Sequence, residues 1–286
     1  MRPILLLATL HFAAACADAP AGDGAVATGD AADGSGTPGA FGGQPVARAL
    51  AFRSYRVISV SGGRSEGFDL DGQQAGSGSP DDCGQSDAVA PDGTQGIDNG
   101  VGQLWTDFYD VVGASQESLF REGLSRGGQV PLLVLPDDAS SRFATARYDG
   151  ASVDFDGLLA SYQTFDTNGS GLPVPASVTS DILRFGPAEV SVEVEVFVLT
   201  FELPIGAFQG ELHRGGDGTW RGVVGGAFPV AAIPAPLGAV GALANGQPLS
   251  EALAAAADLG SADGSCGAIS FAAEVEAVES FVVAPR

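Results

Sequence analysis

The sequence predicts a mainly β domain, either a sandwich or a curled antiparallel sheet, with two or three short helices. Three observations carry that expectation: apolar residues recur at every second position in "EVSVEVEVFVLTFELPI", the chain holds 42 glycines, and its apolar runs are short. Side chains of a strand alternate between two faces, so a period of two marks a half-buried strand, whereas a helix needs three- and four-residue steps.

Two segments precede that domain. Residues 1–15, "MRPILLLATLHFAAA", carry one positive charge at Arg2, an apolar run from Ile4 to Leu10 and then small residues, the layout of a secretory signal. The run is too short to span a bilayer. Cys16 follows Ala13, Ala14 and Ala15, small residues of the kind a lipoprotein signal peptidase accepts ahead of a cysteine that is acylated, although Ala13 stands where such boxes usually carry Leu. Cys16 is therefore the expected lipidation site. The expected location is the envelope of a Gram-negative bacterium, on the outer rather than the inner membrane, or outside the cell should Cys16 stay unacylated. Residues 16–46 are Ala, Gly, Asp, Ser and Pro with almost no branched or aromatic side chains, too few to offset the entropy of ordering. A Gly-rich coil of about 30 residues spans about 30 Å. Residues 47–286 form the single globular domain, long enough for one good core.

Charge excludes several partners. All 13 basic residues are arginine, against 35 Asp plus Glu, for a formal charge of −22. Removing residues 1–15 takes away Arg2 alone and leaves −23. Such a chain repels the phosphates of nucleic acid and anionic lipid heads, so membrane contact is expected through acyl chains alone. A protein or glycan partner stays open.

Along the domain, "AFRSYRVISV" alternates and ends in "SGG", a first strand. Gly67 to Gly96 is a long loop without apolar period, a length that is usually functional or disordered. From Asp98 the steps become helical at Val101, Leu104, Trp105 and Phe108, with Asp98 or Asn99 at the N-cap place. "SQESLFREGLSRGG" reads as a weaker second helix, "QVPLLVL" as a buried strand, and "RFATARY" with "ASVDF" as strands around an Asp149-Gly150 turn. In "EVSVEVEVFVLTFELPI" the apolar set shifts from even to odd positions at Phe197, which predicts a β-bulge or a strand changing sheets. Two strands joined by "GGDG" follow, then the helix "LSEALAAAADL", and "CGAISFAAEVEAVESFVV" supplies closing strands.

The site candidates start with Cys83 and Cys266, the two cysteines that remain once Cys16 is assigned to lipid. In an oxidising compartment they most simply pair with each other, and closing so long a loop adds on the order of 4–5 kcal/mol. "GLSRG" matches G-x-S-x-G, but a helix precedes Ser125 and a strand follows, the reverse of a nucleophile elbow; Ser125 reads as a helix end. His213, the single histidine after residue 15, lies beside a hairpin turn and reads as solvated. Zinc lacks a second histidine or a free thiol, and the absence of lysine excludes Schiff-base chemistry. Acids are the remaining candidates. Asp69, Asp71, Asp82, Asp87, Asp92 and Asp98 crowd a Gly- and Ser-rich loop, and calcium takes six to eight oxygens from such carboxylates and carbonyls. "DLDG" departs from the helix-loop-helix calcium pattern, with no third acid and no Glu at the twelfth place. The competing account makes these aspartates turn and cap residues, with Cys83 pinning the loop.

"GFDLDG", a cysteine, "PDGTQGIDNGVGQL", "GLSRGGQVPLLVL" and a late "CGAIS" together resemble a set of predicted lipoproteins of myxobacteria and their relatives, in which these elements recur in this order. The resemblance covers most of the chain after the tether. It implies an envelope location and a Cys83–Cys266 bond, and it implies no reaction. The expected function is that of a membrane-anchored, non-enzymatic binding or structural module, with structural calcium as the one cofactor the acids admit. Two alternatives are a polysaccharide hydrolase, which needs two carboxylates about 5–10 Å apart, and a carrier with a Val-, Leu- and Phe-lined cavity.

Overall fold

The computed structural model describes residues 46–74, 83–105, 129–135, 141–147, 158–165, 167, 171–196, 199–235, 247–260 and 265–283. The expected signal, Cys16, nearly all of the expected tether, the helix expected to end near Ser125 and the turn expected at Asp149-Gly150 lie outside them. The strands are β1 (Val46–Val57), β2 (Gln129–Leu135), β3 (Arg142–Arg147), β4 (Thr164–Phe165), β5 (Leu172–Pro173), β6 (Ala176–Thr179), β7 (Ile182–Val196), β8 (Leu199–Arg214), β9 (Trp220–Pro229), β10 (Leu259–Gly260) and β11 (Cys266–Val283). All belong to one curled sheet in the order β5-β3-β2-β1-β11-β9-β8-β7-β6, with β4 and β10 beside β11. Pairing is antiparallel throughout except for the short β4–β11 contact. The fold is thus a curled sheet and not a sandwich.

The parity shift at Phe197 has a different cause from the one the pattern suggested. Val196 pairs with Leu199, Val194 with Phe201, Val192 with Leu203 and Val190 with Ile205. Partners in this ladder have numbers of opposite parity, so a chain that reverses across two residues must move its core-facing set from even to odd positions. The feature is a hairpin, and no bulge or change of sheet is needed. The final strand prediction also changes: β11 is one continuous strand of 18 residues. It is the spine of the sheet, with β1 on one side and β9 on the other.

Period-two burial gives the sheet two packed faces. In β1, Leu50 and Phe52 join the main core with Leu133, Phe143, Leu183, Val192, Leu212 and Ile269, while Ala49 and Ala51 face a second cluster with Val130, Leu132, Leu159, Phe165 and Val278. The register slips between Phe52 and Ser54 opposite β11, which makes Arg53 the extra residue of a bulge. The ends of the sheet are joined by consecutive strands. β5 pairs with Arg142 and Phe143, and β6, three residues later, pairs with β7. Val174 between them is fully buried, and the Phe143 ring meets Phe208 of β8 edge-on at 5.1 Å. This strap escaped the sequence reading because strands of two and four residues carry no usable period.

Among the described residues, helix is confined to short pieces. Residues 100–105 are helical, α1 spans Leu249–Ala255, and a 3-10 turn covers Val230–Ala232. No helix among the described residues is long and apolar enough to cross a membrane.

Candidate functional site

The loop after β1 folds back on the "GIDN" stretch through short bridges, Phe68 with Asp98 and Ala88 with Ile97. Phe68 is seated by Gly225 of β9, where a methyl group would stand 2.8 Å from its ring. Gly96 plays the matching part on the other side. Its φ is +80°, and a Cβ there would lie 2.6 Å from the Gln73 carbonyl and 3.2 Å from Asp69 Oδ2. These two glycines let the "DLDG" turn close against residues 96–99.

Asn99 is the N-cap. Its Oδ1 accepts the Gly102 N–H at 3.0 Å and the Ala272 N–H at 3.2 Å, while its Nδ2 donates to the Ile58 carbonyl and to Ser65 Oγ. With 2 % exposure it has all four of its hydrogen-bonding positions filled. Asp98, the other cap candidate, does something else: its Oδ2 accepts the Leu70 N–H at 2.6 Å. Asp69 and Asp71 hold their own turn, accepting the N–H groups of Gly72 and Gln73.

The outcome is a meeting of three carboxylates. One oxygen from each of Asp69, Asp71 and Asp98 lies within 4.8 Å of the others, with Asp98 buried and the other two exposed. Calcium–oxygen distances of about 2.3–2.6 Å place opposed ligands about 5 Å apart, so this spacing suits one such ion. Burial pushes the Asp98 carboxyl up to about 8; the Leu70 N–H opposes the rise, and the carboxylates of Asp71, Asp258 and Asp87 add to it. The surroundings of Asp98 therefore favour either a proton or a cation.

The other acids of the loop are placed differently. Asp87 acts on Asp98 through its charge but supplies no oxygen to the cluster. Asp92 turns away to accept the Thr94 N–H at 2.9 Å, and its bonds to Thr94 hold its carboxyl below the ordinary range. Asp82 lies outside the described residues. Sequence reasoning missed Asp258, which follows α1 in an Ala-rich run with no recognisable spacing. It is 5 % exposed and accepts both the N–H and the Oγ–H of Ser270, and Ser270 Oγ in turn accepts the Gly100 N–H at 2.7 Å. Burial raises its carboxyl too, against the pull of the Ser270 bonds.

A disulfide ties this junction to the sheet. Cys83 is bonded to Cys266, the first residue of β11, across 183 positions of chain. Gln85 adds a bond to the Ala255 carbonyl at the end of α1.

A cavity of about 420 Å³ lies elsewhere, over β1, β9 and β11, lined by Arg56, Glu66, Arg221, Glu274 and Glu276 with Ser54 and Tyr55 among others. Its lining mixes five charged side chains with Tyr55, Val223 and Val275, and lacks the Leu and Phe expected of a carrier. Four of its five charged groups are paired, Arg56 with Glu274 and Arg221 with Glu276, and Glu276 also takes Arg53. His213 is exposed at the end of β8 and contacts Glu211 at 2.9 Å. Comparison with known protein families, with curated proteins and with solved structures finds no match to this chain.

Proposed function

We propose that this protein is an exported envelope lipoprotein, anchored through Cys16, whose curled sheet serves as a non-enzymatic binding or structural module locked by a divalent cation at Asp69, Asp71 and Asp98. The observation that carries the cation reading is the convergence of three carboxylates, one of them buried among further acids. Calcium is the ion of choice because every donor is a hard oxygen. The leader, the small residues before Cys16 and the likeness to myxobacterial lipoproteins support the anchored location.

A buried Asp98 whose one oxygen is already bonded to Leu70 is poorly placed to reach a polysaccharide, so the hydrolase reading gains nothing from the cluster. The test is calorimetric titration of the chelator-treated chain with calcium, beside thermal melts with and without the ion. Saturable one-to-one binding with a rise in melting temperature supports the reading, since a ligand of the folded state alone stabilises it. No heat and no shift would leave Asp69 and Asp71 as turn-forming residues beside an Asp98 that takes no ion. Mass analysis of the membrane fraction, with loss of the acyl mass in Cys16→Ser, tests the anchor.

A further inference from the structure

At the Val46 end of the curl, the main-core face of the sheet carries two solvent-exposed guanidinium groups beside a buried indole. Arg214 ends β8 and stands in register with Trp220, which opens β9. Glu279 of β11 is in register with Leu50, a main-core residue. Two guanidinium groups converge on its carboxylate: Arg214 Nη2 lies 2.8 Å and Arg48 Nη2 3.4 Å from Oε1. The guanidinium carbon of Arg214 is also 6.0 Å from the centre of the Trp220 ring.

A guanidinium presents five N–H donors. Among the described residues, Arg48 and Arg214 each commit one nitrogen, and both to the same oxygen. Trp220 is 4 % exposed, yet its indole Nε1–H has no acceptor among the described residues. A buried donor left unpaired is costly, so natural folds rarely keep one without a reason. Two cations facing one carboxylate also leave one positive charge in excess, in a chain whose formal net charge is −22.

We propose that this rim is an oxyanion site, taking a carboxylate or phosphate group on the Arg48 and Arg214 guanidinium groups and the Trp220 indole N–H. The planar fork of arginine matches either group through paired hydrogen bonds, and the indole N–H, enclosed in this structure, supplies the neutral third donor once the side chains over it shift. This site is separate from the aspartate cluster and stands or falls without it.

The test is a titration of the full ¹⁵N-labelled chain with inorganic phosphate and, separately, with acetate, at constant ionic strength. The readout is the pair of indole Nε1–H resonances, with Trp105 as the internal control and Trp220→Phe giving the assignment. The expected result is a saturable shift of the Trp220 signal alone, with affinity falling about tenfold in Arg214→Gln through loss of a charge-assisted hydrogen bond. Whichever probe binds tighter names the group the site prefers. A Trp220 signal that ignores both anions, drifts without saturating, or moves equally in Arg214→Gln overturns the proposal. Should that variant misfold, Arg48→Gln makes the same comparison.

Discussion

Asn99 Oδ1 accepts the N–H of Ala272, 173 positions further along the chain, and in the same place accepts the N–H of Gly102 to start a helix. One amide thus joins the loop after β1, the helix at residue 100 and the spine of the sheet. Asn99→Ala removes the cap and leaves the N–H of Ala272 and the carbonyl of Ile58 without their partner. The expected loss is about 3 kcal/mol or more, read as a shift of the denaturation midpoint. A change within about 0.5 kcal/mol, the range of an ordinary surface substitution, would refute this role.

The Cys83–Cys266 bond closes a loop of 183 positions. Replacing both cysteines by serine should cost about 3–5 kcal/mol, mostly by freeing the unfolded chain. Urea unfolding of the oxidised chain and of the serine variant measures it, and equal midpoints would mean that the unfolded ensemble already holds the two ends together.

Calcium dependence should separate aspartates that look alike in the sequence. Asp98→Asn and Asp71→Asn are expected to abolish the calcium-dependent rise in melting temperature. Asp92→Asn should leave it intact, because Asp92 is turned toward Thr94. Loss of the rise in Asp92→Asn would mean that the ion sits on the opposite side of the loop.

Stability without calcium should fall as pH rises. Burial raises Asp98 to about 8 and also raises Asp258, while Asp71 and Asp87 push Asp98 the same way. Such a group keeps a proton in the fold that the unfolded chain would release. Its contribution is complete below about pH 4, the ordinary carboxyl range, and is lost as pH climbs through the folded value. In chelator, the melting temperature should decline from pH 5 to pH 8, and Asp98→Asn should flatten much of that decline. An identical slope in both chains would assign the pH dependence to general charge repulsion.

Glu193 and Glu202 stand directly opposite each other in the β7–β8 ladder, and both are exposed. Like charges in that position repel, so Glu202→Arg should stabilise the chain by about 0.5 kcal/mol. The gain should shrink in high salt, and a gain that survives 1 M salt would point to packing instead.

How far the fold was legible depends on whether the deciding contacts were local. Period-two burial in "EVSVEVEV" and "GELHRGGDGTWRGVV" is written in adjacent residues, so mainly β structure, the β8–β9 turn and α1 could be read directly. Two spare cysteines also sufficed for one bond. The same pattern could not separate a bulge from a reversal at Phe197, because each moves the buried set by one position and only the pairing of Val196 with Leu199 decides. Which aspartates meet was likewise beyond the sequence. Asp92 and Asp98 look equivalent along the chain, but one is held by a neighbour two residues away and the other by Leu70, 28 positions off. Asp258 had no signal, since its partner Ser270 reaches it only when β11 lies beside the end of α1. Composition and local period therefore determined the class of structure and the elements that bury one face. Long-range packing alone decided which polar groups were carried into the interior, because desolvation and hydrogen bonding act on neighbours in space whatever their distance along the chain.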